Sequence, residues 1–420
     1  MQKNRFKKGF VAAVVLALGA SALTVPAKAA DKEILVWADE TRGPNLVKTL
    51  AAKSDWVSGY TIKVRTFSSF DALKAAVDAA TDLTGPDIIV GANDWVATGA
   101  KNGKLAPLTL TAAQKANYTA NNFFDLSYKG KLYGIPLDIN NVAMIYNENL
   151  VSKAPKTFGE MVSYYKANKD SKGLVAGLCI AGGGMSWGAH SVFSALGGNA
   201  YVMKNGSVDA AAAPVSADFV KNVKSLLIDP ATGKGNGFFP ASDTGCKKNF
   251  LDGKVPFAVV GNWEWTDYQD AGFFLNLMPV PGAKAGSNGK MFGSVSGAML
   301  TSYAAKRGNE AGAKAVLTDF FGSAAGAIAY QKNELRPPAN KAAAKGDLLT
   351  AQVNFGKASA AAGIPQIGAI LNGTTGSKSY WDLLPAFWTA VLTDGKDVAT
   401  EAGKLNDFLT KNIKAGVADL

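Results

Sequence analysis

The sequence predicts an α/β fold built from strand–helix–strand units, and three observations carry that prediction. Short apolar runs at residues 33–37, 62–66 and 88–90 read as strands, separated by segments of helical period. Apolar residues make up 48% of the 420, ample for the cores of two or three domains. A further apolar run, 256–260, stops at Gly261 and opens into a loop carrying Trp263, Glu264 and Trp265. Loops at strand ends are where α/β sheets hold ligands.

Taken in order, residues 1–29 read as a secretory signal. Lys3, Arg5, Lys7 and Lys8 precede an apolar stretch that ends near Val25, and Ala27-Lys28-Ala29 supplies a small-residue cleavage site. Gly19 and Ser21 interrupt the apolar stretch, which argues against a membrane-spanning helix. The first cysteine is Cys179, so no thiol stands at the cleavage point to take a lipid. The exported chain is expected to be soluble, in a periplasmic or other extracytoplasmic space. The leader holds five of the 44 Lys and Arg and none of the 33 acids, so the formal charge falls from +11 to +6 without it. With no Arg-rich cluster in what remains, nucleic acid is a disfavoured partner.

The first strand breaks into Ala38-Asp39-Glu40-Thr41-Arg42-Gly43, a run of hydrogen-bonding groups, and Pro44 opens a helix. Ser69 can cap a helix over 70–80, with Phe70, Leu73, Val77 and Ala80 on one face. The third strand ends in Gly91-Ala92-Asn93-Asp94-Trp95. Thr157 and Glu160 have the spacing of a capping box. Residues 174–180 read as a strand that runs into Gly182-Gly183-Gly184 and on to Trp187, without the Lys and Ser/Thr of a phosphate-binding loop. Further on, 216–228, 311–321 and 396–413 read as helices, and 274–280 and 293–300 as strands. The only histidine, His190, cannot make a His-rich metal site and is expected to be packed or capping.

The stretch 250–265, FLDGKVPFAVVGNWEW, resembles a segment of the maltose/maltodextrin-binding proteins of ABC importers. The strand PDIIV at 86–90 with its Asp94 loop, the blocks 129–136 and 142–147, and Ile364-Pro365-Gln366 match the same family, so the likeness covers nearly the whole exported chain. It implies a two-lobed periplasmic-binding-protein fold of type II, each lobe a mainly parallel sheet flanked by helices and joined by a hinge. One lobe would comprise 30–139 with 279–321, the other 140–278 with 322–420. The implied function is capture of a maltose-like di- or oligosaccharide between the lobes and delivery to a membrane permease, by a monomer, with no cofactor, metal or turnover.

The resemblance also implies a ligand set. Asp94 falls on a family carboxylate, but the Arg expected next is Trp95, and a family Glu is Asn140. Trp187, counted back from Gly197-Gly198, and Trp381 fall near stacking aromatics. Residues 372–379, before Trp381, look like an insertion. Trp263 is the central stacking candidate, because a sugar ring pairs an apolar C–H face with a hydroxyl rim, while Trp265 reads as packing. Asp39, Glu40, Arg42 and Glu264 complete the set of hydroxyl partners. Two cysteines in an exported chain can pair, and the family places Cys179 and Cys246 in one lobe, so a disulfide is expected. Two rivals stand beside this reading. A glycosidase would need a carboxylate pair from Asp39, Glu40, Asp94 and Glu264. A ferric-ion binder would use Tyr164-Tyr165, which instead sit inside the capped helix.

Overall fold

The architecture is that of a computed structural model in which residues 32–242, 245–273, 276–373, 378–418 and 420 are described. The expected leader, the start of the 274–280 strand and the middle of the 372–379 insertion lie outside the described residues. Among those described, no helix is long and apolar enough to cross a membrane.

The fold is mixed α/β. Strand Lys32–Ala38 pairs in parallel with Tyr60–Thr66 on one side and Ile88–Ala92 on the other. Strand Ser294–Leu300 pairs antiparallel with Ile88–Ala92 and with Gly134–Asn140, completing a five-stranded sheet. A register shift at Ser296/Gly297 bends it at one end. A second, three-stranded sheet has Phe257–Gly261 at its centre, antiparallel to Val142–Tyr146 and parallel to Leu178–Ile180. The sheets are thus less uniformly parallel than expected. The strand Val142–Tyr146 follows Gly134–Asn140 almost at once, so the chain passes directly from the first sheet into the second.

Apolar side chains form two separate buried clusters. One surrounds the five-stranded sheet and includes Val36, Leu73, Ile89, Met299 and Phe320. The other surrounds the three-stranded sheet and includes Phe193, Phe219, Val259, Trp265 and Trp388. The packing departs from the lobe limits expected at 279 and 322. Val280, Met291 and Phe292 pack in the second cluster, while Tyr330 and Ala339 pack in the first, and the second resumes at Ala351. Polar ties accompany the later shift: the Tyr330 hydroxyl donates to Asp138 of strand Gly134–Asn140, and Glu334 accepts from Asn45 Nδ2.

Local signals explain most element ends. The Ser69 hydroxyl accepts from Ala72 N–H at 3.1 Å, and Leu73 and Val77 of helix Phe70–Ala79 are buried. Phe70 is not part of that core face: it is 38% exposed. Thr157 caps helix Phe158–Asn168, but the Glu160 carboxylate accepts from Lys156 N–H instead of closing the box. The strand expected over 174–180 is limited to Leu178–Ile180, because Gly177 and Leu178 N–H are both taken by the Phe238 carbonyl. In 276–280 only Met278 bridges a neighbour, Met144. Cys179 and Cys246 are joined in a disulfide that ties strand Leu178–Ile180 to helix Cys246–Leu251. His190 is fully buried, stacked on Phe292 at 4.3 Å with Nδ1 2.6 Å from the Tyr380 hydroxyl, and burial pushes its pKa down to about 3. Tyr165 packs edge-on against Phe238, and the Tyr164 hydroxyl donates to the Leu150 carbonyl, so neither is poised as a metal ligand.

Candidate cleft between the two cores

A cavity of about 770 Å³ is lined by groups from both clusters. The side of the five-stranded sheet contributes Asp39, Glu40, Arg42, Phe70, Asp94, Asn140 and Arg336; the other side contributes Trp187, Trp263, Gln366 and Trp381. Such a volume suits a small organic ligand of several rings.

The polar side rests on a buried ionic frame. The loop after strand Lys32–Ala38 turns sharply because Asp39 Oδ1 accepts from Thr41 N–H, the Thr41 hydroxyl and Arg42 N–H at 2.8–2.9 Å. Asp39 Oδ2 takes Arg42 Nη1 at 2.8 Å. The rest of the Arg42 guanidinium donates to Asp138 from Nε and Nη2, to Asn140 Oδ1 at 3.0 Å and to the Ser296 hydroxyl. A second guanidinium runs alongside. Arg336 donates to Asn140 Oδ1 at 2.8 Å, Glu334 Oε1 at 2.6 Å and the Thr41 hydroxyl at 3.0 Å. Burial alone would raise the Asp39 carboxyl, but Arg42 and Arg336 hold it well below the ordinary range. Glu334 is held down against burial by the same two cations, and Asp138 and Asp39 hold the buried Arg42 charged. Asp39 and Arg42 are only 2% and 3% exposed and spend their hydrogen bonds on one another and on this frame. They shape the floor; they are not free hydroxyl partners as expected. Asn140, which belongs to the frame through both arginines and donates Nδ2 to the Ser296 hydroxyl at 2.7 Å, and the exposed Glu40 also line the cavity.

Asp94 behaves differently. It precedes helix Trp95–Lys101 but makes no capping bond, and its Oδ1 is buried without a partner. Burial therefore lifts its carboxyl to about 6, only partly opposed by the neighbouring Gln366 amide and Lys74.

The aromatic side is made of tilted rings. Trp187 lies 5.5 Å from Trp263 and 6.3 Å from Phe292, and Phe292 lies 5.7 Å from Trp381. Trp263 folds back over the end of its own strand. A Cβ on Gly261 would lie 2.4 Å from the ring, which is why the strand must end in glycine. Trp265, as expected, is fully buried.

Two expected members are not brought to this cavity. Trp95 is the first residue of its helix and points back to the core; it is 7% exposed, tilted on Phe70 at 5.0 Å, with Lys74 Nζ 5.8 Å from its ring. It lines a smaller neighbouring cavity of about 370 Å³ that shares Asp94 and Trp381 with the first. Glu264 precedes helix Trp265–Asp270 and turns its carboxylate to Gly261 N–H at 3.3 Å. Three residues were missed. Phe70 looked like core by its spacing. Gln366 stood only as part of a matching motif. Arg336 carried one weak signal, a cation placed before the Pro337-Pro338 break in an apolar region.

Residues 45–357 match the family model described as bacterial extracellular solute-binding protein. The maltotriose-binding protein of Pyrococcus abyssi is 30% identical over 234 residues, 50% of this chain and 44% of that protein, so the match spans less than half of the relative. The maltodextrin-binding protein MdxE of Bacillus subtilis is 24% identical over 361 residues, 81% of this chain and 82% of that protein. The galactooligosaccharide-binding protein of the same bacterium is 26% identical over 272 residues, 62% of each. Since the family model alone spans most of the sequence and takes in the cavity residues from Phe70 to Arg336, though not Asp39, Glu40 and Arg42, the chain belongs to the bacterial extracellular solute-binding proteins.

Proposed function

We propose that this protein is the capture receptor of a carbohydrate ABC importer and that its ligand is a maltose-like di- or oligosaccharide. The observation that carries the reading is the pairing of chemistries in one cavity: three tryptophans on one side, and Asn140, Glu40 and Asp94 on the other. Aromatic faces suit the C–H faces of pyranose rings, and amide and carboxylate groups suit their hydroxyls. Trp263 and Trp187 stack on the sugar, Trp381 closes one end, and Asn140, Asp94 and Glu40 bind hydroxyls. Asp39, Arg42 and Arg336 hold that polar surface in place, and Trp95 and Glu264 support the loops that carry it.

The two clusters act as lobes that close on the ligand, with the boundaries near 140, 293 and 349. Only a ligand that touches both sides favours the closed form. The closed form docks on a membrane permease, and residues 1–29 act as an export leader that leaves a soluble monomer without a lipid anchor. The receptor performs no turnover on its ligand. The glycosidase alternative loses one of its carboxylates, since Glu264 faces its own strand end.

A calorimetric titration of the purified exported chain with maltose, maltotriose, a longer maltodextrin and a galactooligosaccharide tests the reading. Saturable binding of at least one maltosaccharide, recovered chemically intact, is the expected result. No heat with any of the four, or steady release of smaller sugars, would overturn it.

A further inference from the structure

The eight tryptophans divide by what their indole N–H groups meet. Trp37, Trp265 and Trp388, set in the cores, and the half-buried Trp56 have buried N–H groups with no hydrogen-bond partner among the described residues. Two cleft tryptophans are paired, each to a side-chain amide. Trp187 Nε1 donates to Gln366 Oε1 at 2.7 Å, and Trp381 Nε1 donates to Asn372 Oδ1 at 2.7 Å. Gln366 and Asn372 flank one short helix, Gly368–Leu371.

The same segment is fastened to the loop that carries Asp94. Asn93 Nδ2 donates to the Gln366 carbonyl at 2.7 Å, and Asn372 Nδ2 donates to the Asp94 carbonyl at 3.0 Å. Between these ties the backbones meet: a Cβ on Gly368 would lie 2.6 Å from the Asp94 carbonyl oxygen. Ile367, Ile370 and Leu371 belong to the cluster around the three-stranded sheet, whereas the Asn93–Asp94 loop ends a strand of the other. Segment 366–372 thus holds two aromatic faces by their N–H groups, and it meets the opposite polar loop through the Asn372 side chain and the Gln366 backbone carbonyl. An indole fixed at Nε1 has its ring plane set, and a stacking face is useful only when its plane is set before the ligand arrives.

We propose that Gln366 and Asn372 are positioning residues of the ligand site, which orient Trp187 and Trp381 and fix their distance from Asp94. The proposal rests on the saccharide reading above. Neither residue need touch the sugar. Each holds an indole with its side-chain oxygen; Asn372 also donates to the Asp94 carbonyl, and the Gln366 backbone carbonyl accepts from Asn93 Nδ2.

Two amide-to-acid variants separate the roles. Asn372→Asp keeps an acceptor for Trp381 but loses the donor to the Asp94 carbonyl, and Asn372→Leu loses both. Gln366→Glu keeps an acceptor for Trp187 and Gln366→Leu loses it, and both keep the backbone carbonyl that Asn93 Nδ2 reaches. The first readout needs no ligand: the indole N–H resonances of Trp187 and Trp381 in the ¹⁵N-labelled protein, assigned by Trp→Phe variants. Each Leu variant should shift its own partner's resonance and speed its hydrogen exchange, and each acid variant should keep the pairing. The second readout is calorimetric affinity for maltotriose, with the melting temperature of the unliganded protein as a control. Asn372→Leu should weaken binding roughly tenfold, about one hydrogen bond's worth of geometry. Asn372→Asp should lose less, and the unliganded melting temperature should stay near that of the parent. Unmoved indole resonances in both Leu variants would overturn the proposal. So would parental affinity in a folded Asn372→Leu protein, or losses of affinity that merely track lost stability. If the parent binds no saccharide while the resonances move as expected, the pinning stands, and both the saccharide reading and the role in binding fall.

Discussion

The two sides of the cleft solve opposite problems. The side built on the five-stranded sheet carries charge: Arg42, Arg336, Asp39, Asp138 and Glu334 are buried, and each is bonded to at least one other member or to Asn140. The side built on the three-stranded sheet carries flat apolar faces, Trp187, Trp263 and Trp381, all half-buried, the first two tilted against one another and the third set against Phe292. Charges taken out of water must be matched almost atom by atom, so the first side is a rigid lattice whose members cannot be exchanged singly. Stacked rings need only a face and a plane, so the second side tolerates loss of a ring without loss of fold. On the function proposed above, rigidity and affinity reside in different residues, although both kinds border one cavity.

Breaking the charged side should have the largest effect. Arg42→Met leaves Asp39 and Asp138 buried beside a thioether, and a cost of about 3–5 kcal/mol is expected. Urea unfolding measures it, and a loss below about 1 kcal/mol would show that the frame is not a unit. Removing the staple from the other core comes next. The double variant Cys179→Ser with Cys246→Ser opens a loop of sequence separation 67, which predicts a loss of up to about 4 kcal/mol. Thermal unfolding of the variant beside the reduced parent should give the same lowered midpoint. Trp263→Ala sharpens the contrast from the aromatic side. Affinity for maltotriose should fall by about 2 kcal/mol, roughly thirtyfold, with the fold retained. A Trp263→Ala protein unfolded at room temperature would place that ring with the core.

The smallest effect concerns two carboxyls that border the same cavity. Asp39 is held below the ordinary range by its arginines, so its contribution to stability is present above about pH 4 and is lost as pH falls. Asp94 is lifted by burial to about 6, so the folded protein binds that proton more tightly than the unfolded chain does. Its contribution is full below about pH 4 and lost as pH rises through 6. Asp94→Asn should therefore raise the melting temperature of the unliganded protein at pH 7–8, and the difference from the parent should vanish below pH 4. An unchanged difference across that range would show that the carboxyl titrates normally.

The elements most legible in the sequence are those whose cause is local. Ser69 caps its helix because a hydroxyl precedes an amphipathic run, and strand Phe257–Gly261 ends where glycine lets Trp263 fold back. The parallel start, the Asp94 loop and eight of the ten expected site residues at the cavity likewise follow from runs and motifs that a reader of the chain can quote. What local pattern misjudged were roles set by distant partners. Trp95 reads as a loop aromatic until Phe70 covers it, and Glu264 reads as a ligand carboxylate until its own strand end takes it. Asp39 and Arg42 read as free hydrogen-bonding groups, yet Asp138, Asn140 and Ser296, up to 254 positions away, complete their bonds. Arg336 joins the same frame from a region whose composition announces nothing. Caps, strand ends and turns are decided within a few residues, so the sequence by itself determined most of the elements. Whether a polar or aromatic group faces the cavity or serves the frame depends on which remote group satisfies it. Only the tertiary structure decides that, because a buried charge or ring is fixed by all its neighbours at once.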